Sequence, residues 1–333
     1  MEKHVATRNH AVRFDQQPAI MPFHIRPEMY EQLGRWDEAL GIHEANRELE
    51  PFHLDHTKGI MRCLAEMGRW DKLFSFCKDQ LTTTIADENA KKELCYKIAD
   101  CGFHVGDWTF VESVLPYMKK SNPKSFFYKA VLAVHEQRYS EAEKFIQQAR
   151  LTMDNDISAL VGESYTRAYD KIVGLQELTE LEEVIAYKLA QTEEKRLLIR
   201  KVWSQRLLGM AEYVTHWQKM LAIQSLVLTP EENIESWLKF VALCEKSSKP
   251  DLAMRTLMKL FTDGGLRDTD PKQLVKAQNV NLQVVEQFLE HVWQWEERAT
   301  AFALMQTFAS TLAQQGSNEP LRARCHLKLG QWQ

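Results

Sequence analysis

Apolar residues recur three and four positions apart along this chain, the spacing that gives an α-helix one buried face. Trp237, Phe240, Val241 and Cys244 form such a set, and Leu252, Leu257 and Phe261 line the next predicted helix. Ala142 and Ala149, seven apart, share a face further upstream. Between helical stretches a short cassette returns: Leu33-Gly34-Arg35-Trp36-Asp37, then Met67-Gly68-Arg69-Trp70-Asp71. A third copy is Val105-Gly106-Asp107-Trp108, and Gln137-Arg138-Tyr139-Ser140 is a degenerate fourth. The first two tryptophans are 34 residues apart, and the next intervals are 38 and 31.

A 34-residue interval is the period of the tetratricopeptide helix–turn–helix unit. The glycine suits the reversal between paired helices, where a side chain would strain the turn. The aromatic two residues later opens the second helix and wedges between the pair. Gly34, Trp36, Gly68, Trp70, Gly106 and Trp108 are therefore the structural repeat positions. Ala39 allows close helix approach, and Pro51 ends the first unit.

The pattern predicts an all-α solenoid: a poorly ordered lead-in over 1–26, tetratricopeptide-like repeats over 27–152, and HEAT-like helical repeats over 153–333. Capping boxes are expected at Ser140 to Glu143, Thr179 to Glu182 and Thr229-Pro230-Glu231-Glu232. Lys249-Pro250 marks a turn. Asp263-Gly264-Gly265 opens a polar loop, with helices near 281–295 and 297–314 after it. The closing Leu329-Gly330-Gln331-Trp332 repeats the cassette, which implies a further turn and a piece of a larger protein.

Composition narrows the class. Hydrophobic residues make up 44% of the 333, enough to exclude intrinsic disorder. Thirteen glycines and ten prolines are fewer than a turn-rich β architecture needs. A net charge of −4 provides no field for nucleic acid. Six dispersed cysteines lack metal-ligand or disulfide spacing, so reduced thiols in a cytoplasmic protein are expected. Neither a transmembrane run nor a signal core is present in the sequence.

The central segment is more specific than the cassettes. Gly162-Glu163-Ser164-Tyr165-Thr166-Arg167-Ala168-Tyr169 leads to Leu178-Thr179-Glu180-Leu181-Glu182-Glu183-Val184-Ile185-Ala186-Tyr187-Lys188-Leu189. Trp217-Gln218-Lys219-Met220-Leu221, Gln224-Ser225-Leu226-Val227 and Trp237-Leu238-Lys239-Phe240 follow. Together with Cys325-His326-Leu327-Lys328-Leu329-Gly330-Gln331-Trp332-Gln333, this order resembles the FAT domain of target-of-rapamycin kinases, in the phosphatidylinositol-3-kinase-related family. The resemblance runs from about Tyr30 to Gln333; residues 1–26 match poorly and the loop at 262–280 differs.

The resemblance implies a C-shaped helical clamp on a following serine/threonine kinase domain, in a nutrient-sensing complex with raptor- or rictor-type scaffolds. It also implies ATP and Mg in that kinase domain, a cytoplasmic parent recruited to endomembrane surfaces, and inositol hexakisphosphate as a candidate ligand. Kinase chemistry itself is not encoded here, for G-x-G-x-x-G, H-R-D and D-F-G are all missing from the sequence.

Other candidate chemistry is sparse. His53 and His56, with Cys63 downstream, lack the ligand pairs of a zinc site and read as a helix start. Cys95 and Cys101 read as buried thiols. Trp293 and Trp295 fall on different sides of one helix, leaving one available to solvent. Lys246 and Lys249 frame a turn, with Arg255 and Lys259 on the helix after it, and such convergence could hold a polyanion such as inositol hexakisphosphate. The alternative function, a free-standing tetratricopeptide adaptor for peptide tails, would call for recurring basic residues along 28–33 and 56–67, and these do not recur.

Overall fold

The structure, a computed structural model, describes residues 26–51, 53–81, 88–262, 281–295, 297–315 and 319–333. Most of the expected lead-in and the loop beginning at Asp263 lie outside the described residues. The chain divides into two compact units, Met1–Cys63 and Leu64–Gln333. That boundary lies within a helix. Residues 152 and 153 both lie within the helix Tyr139–Glu163.

The first unit holds α1 (Pro27–Gln32), α2 (Trp36–Leu49) and most of α3 (Leu54–Glu66). The second continues with α4 (Trp70–Asp79), α5 (Glu88–Val105), α6 (Trp108–Val114), α7 (Pro123–His135), α8 (Tyr139–Glu163) and α9 (Tyr165–Leu189). Beyond these come α10 (Glu193–Gly209), α11 (Val214–Gln224), α12 (Ile234–Lys246), α13 (Pro250–Thr262), α14 (Leu282–Trp295), α15 (Arg298–Gln315) and α16 (Glu319–Trp332). Among the described residues there is no strand, and helices pack chiefly on their sequence neighbours, as in an α-solenoid.

The cassette turns form as expected. Gly34, Gly68 and Gly106 take positive φ of 72°, 66° and 81°. At each turn of this kind, the residue after the left-handed one donates its N–H five residues back, as Arg35 does to Tyr30 and Arg69 to Leu64, both at 2.9 Å. This is the Schellman closure, which satisfies carbonyls a helix end would otherwise strand. Gln137 keeps the same geometry at φ 62° without being glycine. Ser248 does so too at φ 55°, with Lys249 donating to Cys244 at 2.9 Å. Ser248-Lys249-Pro250 is thus another cassette, disguised because serine and proline replace glycine and tryptophan.

The cassette rings are half-buried, and two of them meet the following repeat. Trp70 stacks on His104 at 4.1 Å, and Trp108 lies 5.0 Å from His135. Trp332 stacks on Trp293 at 4.4 Å, while Trp295 is 39% exposed. One core joins α7 to α11 through Val131, Ile146, Leu181 and Trp203. Another joins α11 to α16 through Phe240, Phe261, Phe288 and Phe308.

Three local expectations fail, each for a physical reason. Ser140 does not cap α8, which begins one residue earlier after Arg138. Thr179 lies in the middle of α9, where its hydroxyl donates to the Leu175 carbonyl at 3.1 Å and so competes with no cap. Gly330 forms no turn, because α16 continues through it to Trp332. The box at Thr229 makes its hydrogen bonds, with Thr229 N–H donating to Glu232 at 3.0 Å and Glu232 N–H returning to the Thr229 hydroxyl at 3.4 Å, but they close a turn ahead of α12, whose N-cap is Asn233.

Candidate functional site

Helix α9 carries the most distinctive residues in the chain, and its acids pin three neighbouring helices. Glu182 takes a forked pair of hydrogen bonds from Arg150 of α8, both at 2.6 Å. Glu183 takes another from Arg206 of α10, at 2.7 and 2.8 Å, and a third bond from the Trp203 indole at 2.7 Å. Gln224 of α11 donates to Glu180 at 3.0 Å, and Lys219 to Glu177 at 3.0 Å. Forked arginine–carboxylate pairs fix orientation as well as attraction. The apolar members Leu178, Leu181, Val184 and Ile185 fill the core alongside.

Burial splits the titration of these acids. It opposes charge on Glu183, but the hydrogen bonds of Arg206 and Trp203 overcome it and hold that carboxyl below its usual range. Glu180 is 1% exposed, and burial outweighs Gln224 and Arg206, raising it to about 7. Burial also raises Glu177 despite Lys219. At neutral pH Glu183 is therefore ionised, while Glu180, one turn away, is partly protonated.

A second polar group lies nearby. Tyr128 donates to Asp100, which Lys124 also faces at 3.6 Å. Asp100 in turn acts electrostatically on Glu177 and Lys219. On the same helix as Asp100, burial lowers His104 to about 4 against the attraction of Asp100, aided by Lys259 and Lys219. Neither group was foreseen. The α9 acids could have been found as charges at core-facing helix positions, whereas residues as distant as Asp100 and Lys219 leave no local signal.

The predicted basic residues are only partly brought together. Lys246 is paired with Glu212 and Lys249 with Glu66. Arg255 and Lys259 are exposed on α13, with the Lys259 ammonium 5.6 Å above the Trp237 ring. Lys246 and Lys249 of the candidate polyanion site are thus already balanced by carboxylates.

The histidines and Cys63 separate as well. His53 and His56 group with Glu50, while Cys63 groups with Glu31 and His43. Arg62 Nη2 donates to one oxygen of that Glu31 carboxylate at 2.8 Å and its Nε lies 2.8 Å from the other as an ion pair, while His43 Nε2 is 3.0 Å from the first. Burial pushes the Cys63 thiol up to about 12, so it is protonated at neutral pH. All six cysteines are free and buried, Cys95 and Cys101 among them. Among the described residues, no helix is long and apolar enough to cross a membrane.

Comparison with known proteins gives the family. The FAT domain model matches residues 98–333, which include the α9 hub and its partners from Asp100 onward, and a tetratricopeptide repeat model matches residues 28–53. Over 93% of the chain there is 34% identity to the serine/threonine-protein kinase TOR of Arabidopsis thaliana. Over 95% there is 31% identity to mTor of Drosophila melanogaster, and over 91% there is 31% identity to TOR2 of Saccharomyces cerevisiae. The chain spans only 13–14% of the length of these relatives. It belongs to the FAT domain family, and is similar over most of its length to the corresponding region of target-of-rapamycin kinases.

Proposed function

We propose that this chain is the helical support of a target-of-rapamycin-type serine/threonine kinase, and that it restrains a kinase domain carried by the same parent protein. The observation that carries this reading is the FAT match over 98–333 in a sequence that lacks every kinase motif. ATP and Mg belong to that kinase domain. A stack of packed helices can restrain by limiting how the kinase lobes open and where protein substrates enter. Activation by a partner, a raptor- or rictor-type scaffold among them, then requires that the partner bind a looser stack more tightly.

The test is substrate phosphorylation by the full-length parent with Gly68→Val. The reading expects the rate to change, while an unaltered rate with an unaltered melting curve contradicts it. The adaptor reading gains no support from a match that covers α5 to α16 as a FAT domain.

Inositol hexakisphosphate at Lys246, Lys249, Arg255 and Lys259 remains part of the proposal, with Glu212 and Glu66 as the groups it displaces. Titration calorimetry of the Arg255→Glu, Lys259→Glu variant checks it. Lost binding supports the site, and unchanged affinity removes it. A cytoplasmic location fits the six buried free thiols.

A further inference from the structure

Two left-handed turns, distant in sequence, meet inside the second unit. The turn at 66–69 presents a negative then a positive side chain, and the turn at 249–251 presents the reverse order. Lys249 donates to the Glu66 carboxylate, and Arg69 faces Asp251 at 3.6 Å. Leu252 sits directly over Gly68, where an added Cβ would fall 2.5 Å from Leu252 Cδ1. Leu252 and Met67 are buried, at 4% and 2% exposure.

This meeting departs from the logic of the rest of the fold. A stack in which each helix packs on its neighbours is stable without contact between distant members. Here the turn at 66–69 and the turn at 249–252 meet across nine intervening helices, through matched charges and one leucine seated on a bare backbone. The four charged side chains keep 18% to 51% of their surface, so salt reaches the contact.

We propose that the two turns form a reversible ionic clasp that closes helices α4 to α13 into a circuit, and that its release is a built-in conformational switch of this unit. When both ion pairs part, the turn at 66–69 and the turn at 249–252 lose cover together, since each is the other's lid. The inference stands on the geometry of these seven residues and does not depend on the kinase reading.

Hydrogen exchange on the full chain tests it, with Glu66→Lys, Lys249→Glu and the double swap. Each single reversal is expected to speed exchange about tenfold at both turns, and the double swap to restore most of the protection. Acceleration confined to the mutated turn, or a double swap no slower than the singles, overturns the clasp. Should a reversal prevent folding, wild-type chain compared at about 0.05 M and about 1 M NaCl decides. Parallel acceleration at the two turns supports the clasp, and no change at either removes it.

Discussion

The cassettes at 33–37 and 67–71 share glycine, arginine, tryptophan and aspartate in the same order, yet the fold uses them differently. Their backbones agree, with φ of 72° and 66° and the same five-back hydrogen bond. Their surroundings do not. Leu33 is 71% exposed, Gly34 has nothing near the position a Cβ would take, and among the described residues no ring stacks on Trp36. Met67 is buried, Gly68 lies under Leu252, Arg69 faces Asp251, and Trp70 stacks on His104. A short motif therefore dictates the turn, and the tertiary partners decide what the turn holds.

Matched substitutions put the widest gap between the two. Gly68→Val should cost about 4 kcal/mol, from a β-branched residue at positive φ plus overlap with Leu252. Gly34→Val should cost about 2 kcal/mol, from backbone strain alone. Urea unfolding followed by circular dichroism measures both, and equal losses would erase the distinction.

Acid should act on the second cassette through His104. Its folded value of about 4 lies below the usual 6.5, so the unfolded chain takes the proton first as pH falls. Stability from this group is complete above 6.5 and declines by about 3 kcal/mol on the way to pH 4. His104→Phe keeps a ring against Trp70 and should abolish that decline in a melting series from pH 7 to pH 4.

Glu180, outside both cassettes, titrates with the opposite sign. Its folded value of about 7 lies above the usual 4.5, so stability falls as pH rises from 4.5 to 7 and then levels off. Glu180→Gln should therefore gain up to about 3 kcal/mol at pH 8 and nearly nothing at pH 4. The wild-type curve sums two opposing slopes, and only the variants separate them.

The smallest effect concerns the disguised cassette. Ser248→Gly relieves a non-glycine residue at positive φ and should stabilise by about 0.5–1 kcal/mol, read as a rise in melting temperature.

What the sequence disclosed followed from how local each signal was. Gly34, Gly68 and Gly106 were readable because left-handed backbone selects glycine within a few residues. Ser248 was not, because the same backbone can be held by a residue with no preference for it. Thr179 misled because a threonine inside a helix can satisfy its hydroxyl on the preceding turn, and so imitates a cap in sequence only. The order of residues through α9 marked the family, but which acids would be buried depended on Arg150, Arg206 and Lys219 arriving from other helices. The pairing of Lys249 with Glu66 was equally hidden, and it alters the basic cluster that the sequence presented as open.

The comparison can be tested without any mutation. Arg35 and Arg69 donate the same hydrogen bond at the same 2.9 Å, so local geometry alone predicts equal amide exchange. Residue-resolved exchange on the wild-type chain should instead show Arg69 at least about tenfold slower, because its turn lies beneath Leu252 and beside Asp251. Equal rates at the two amides would contradict the account.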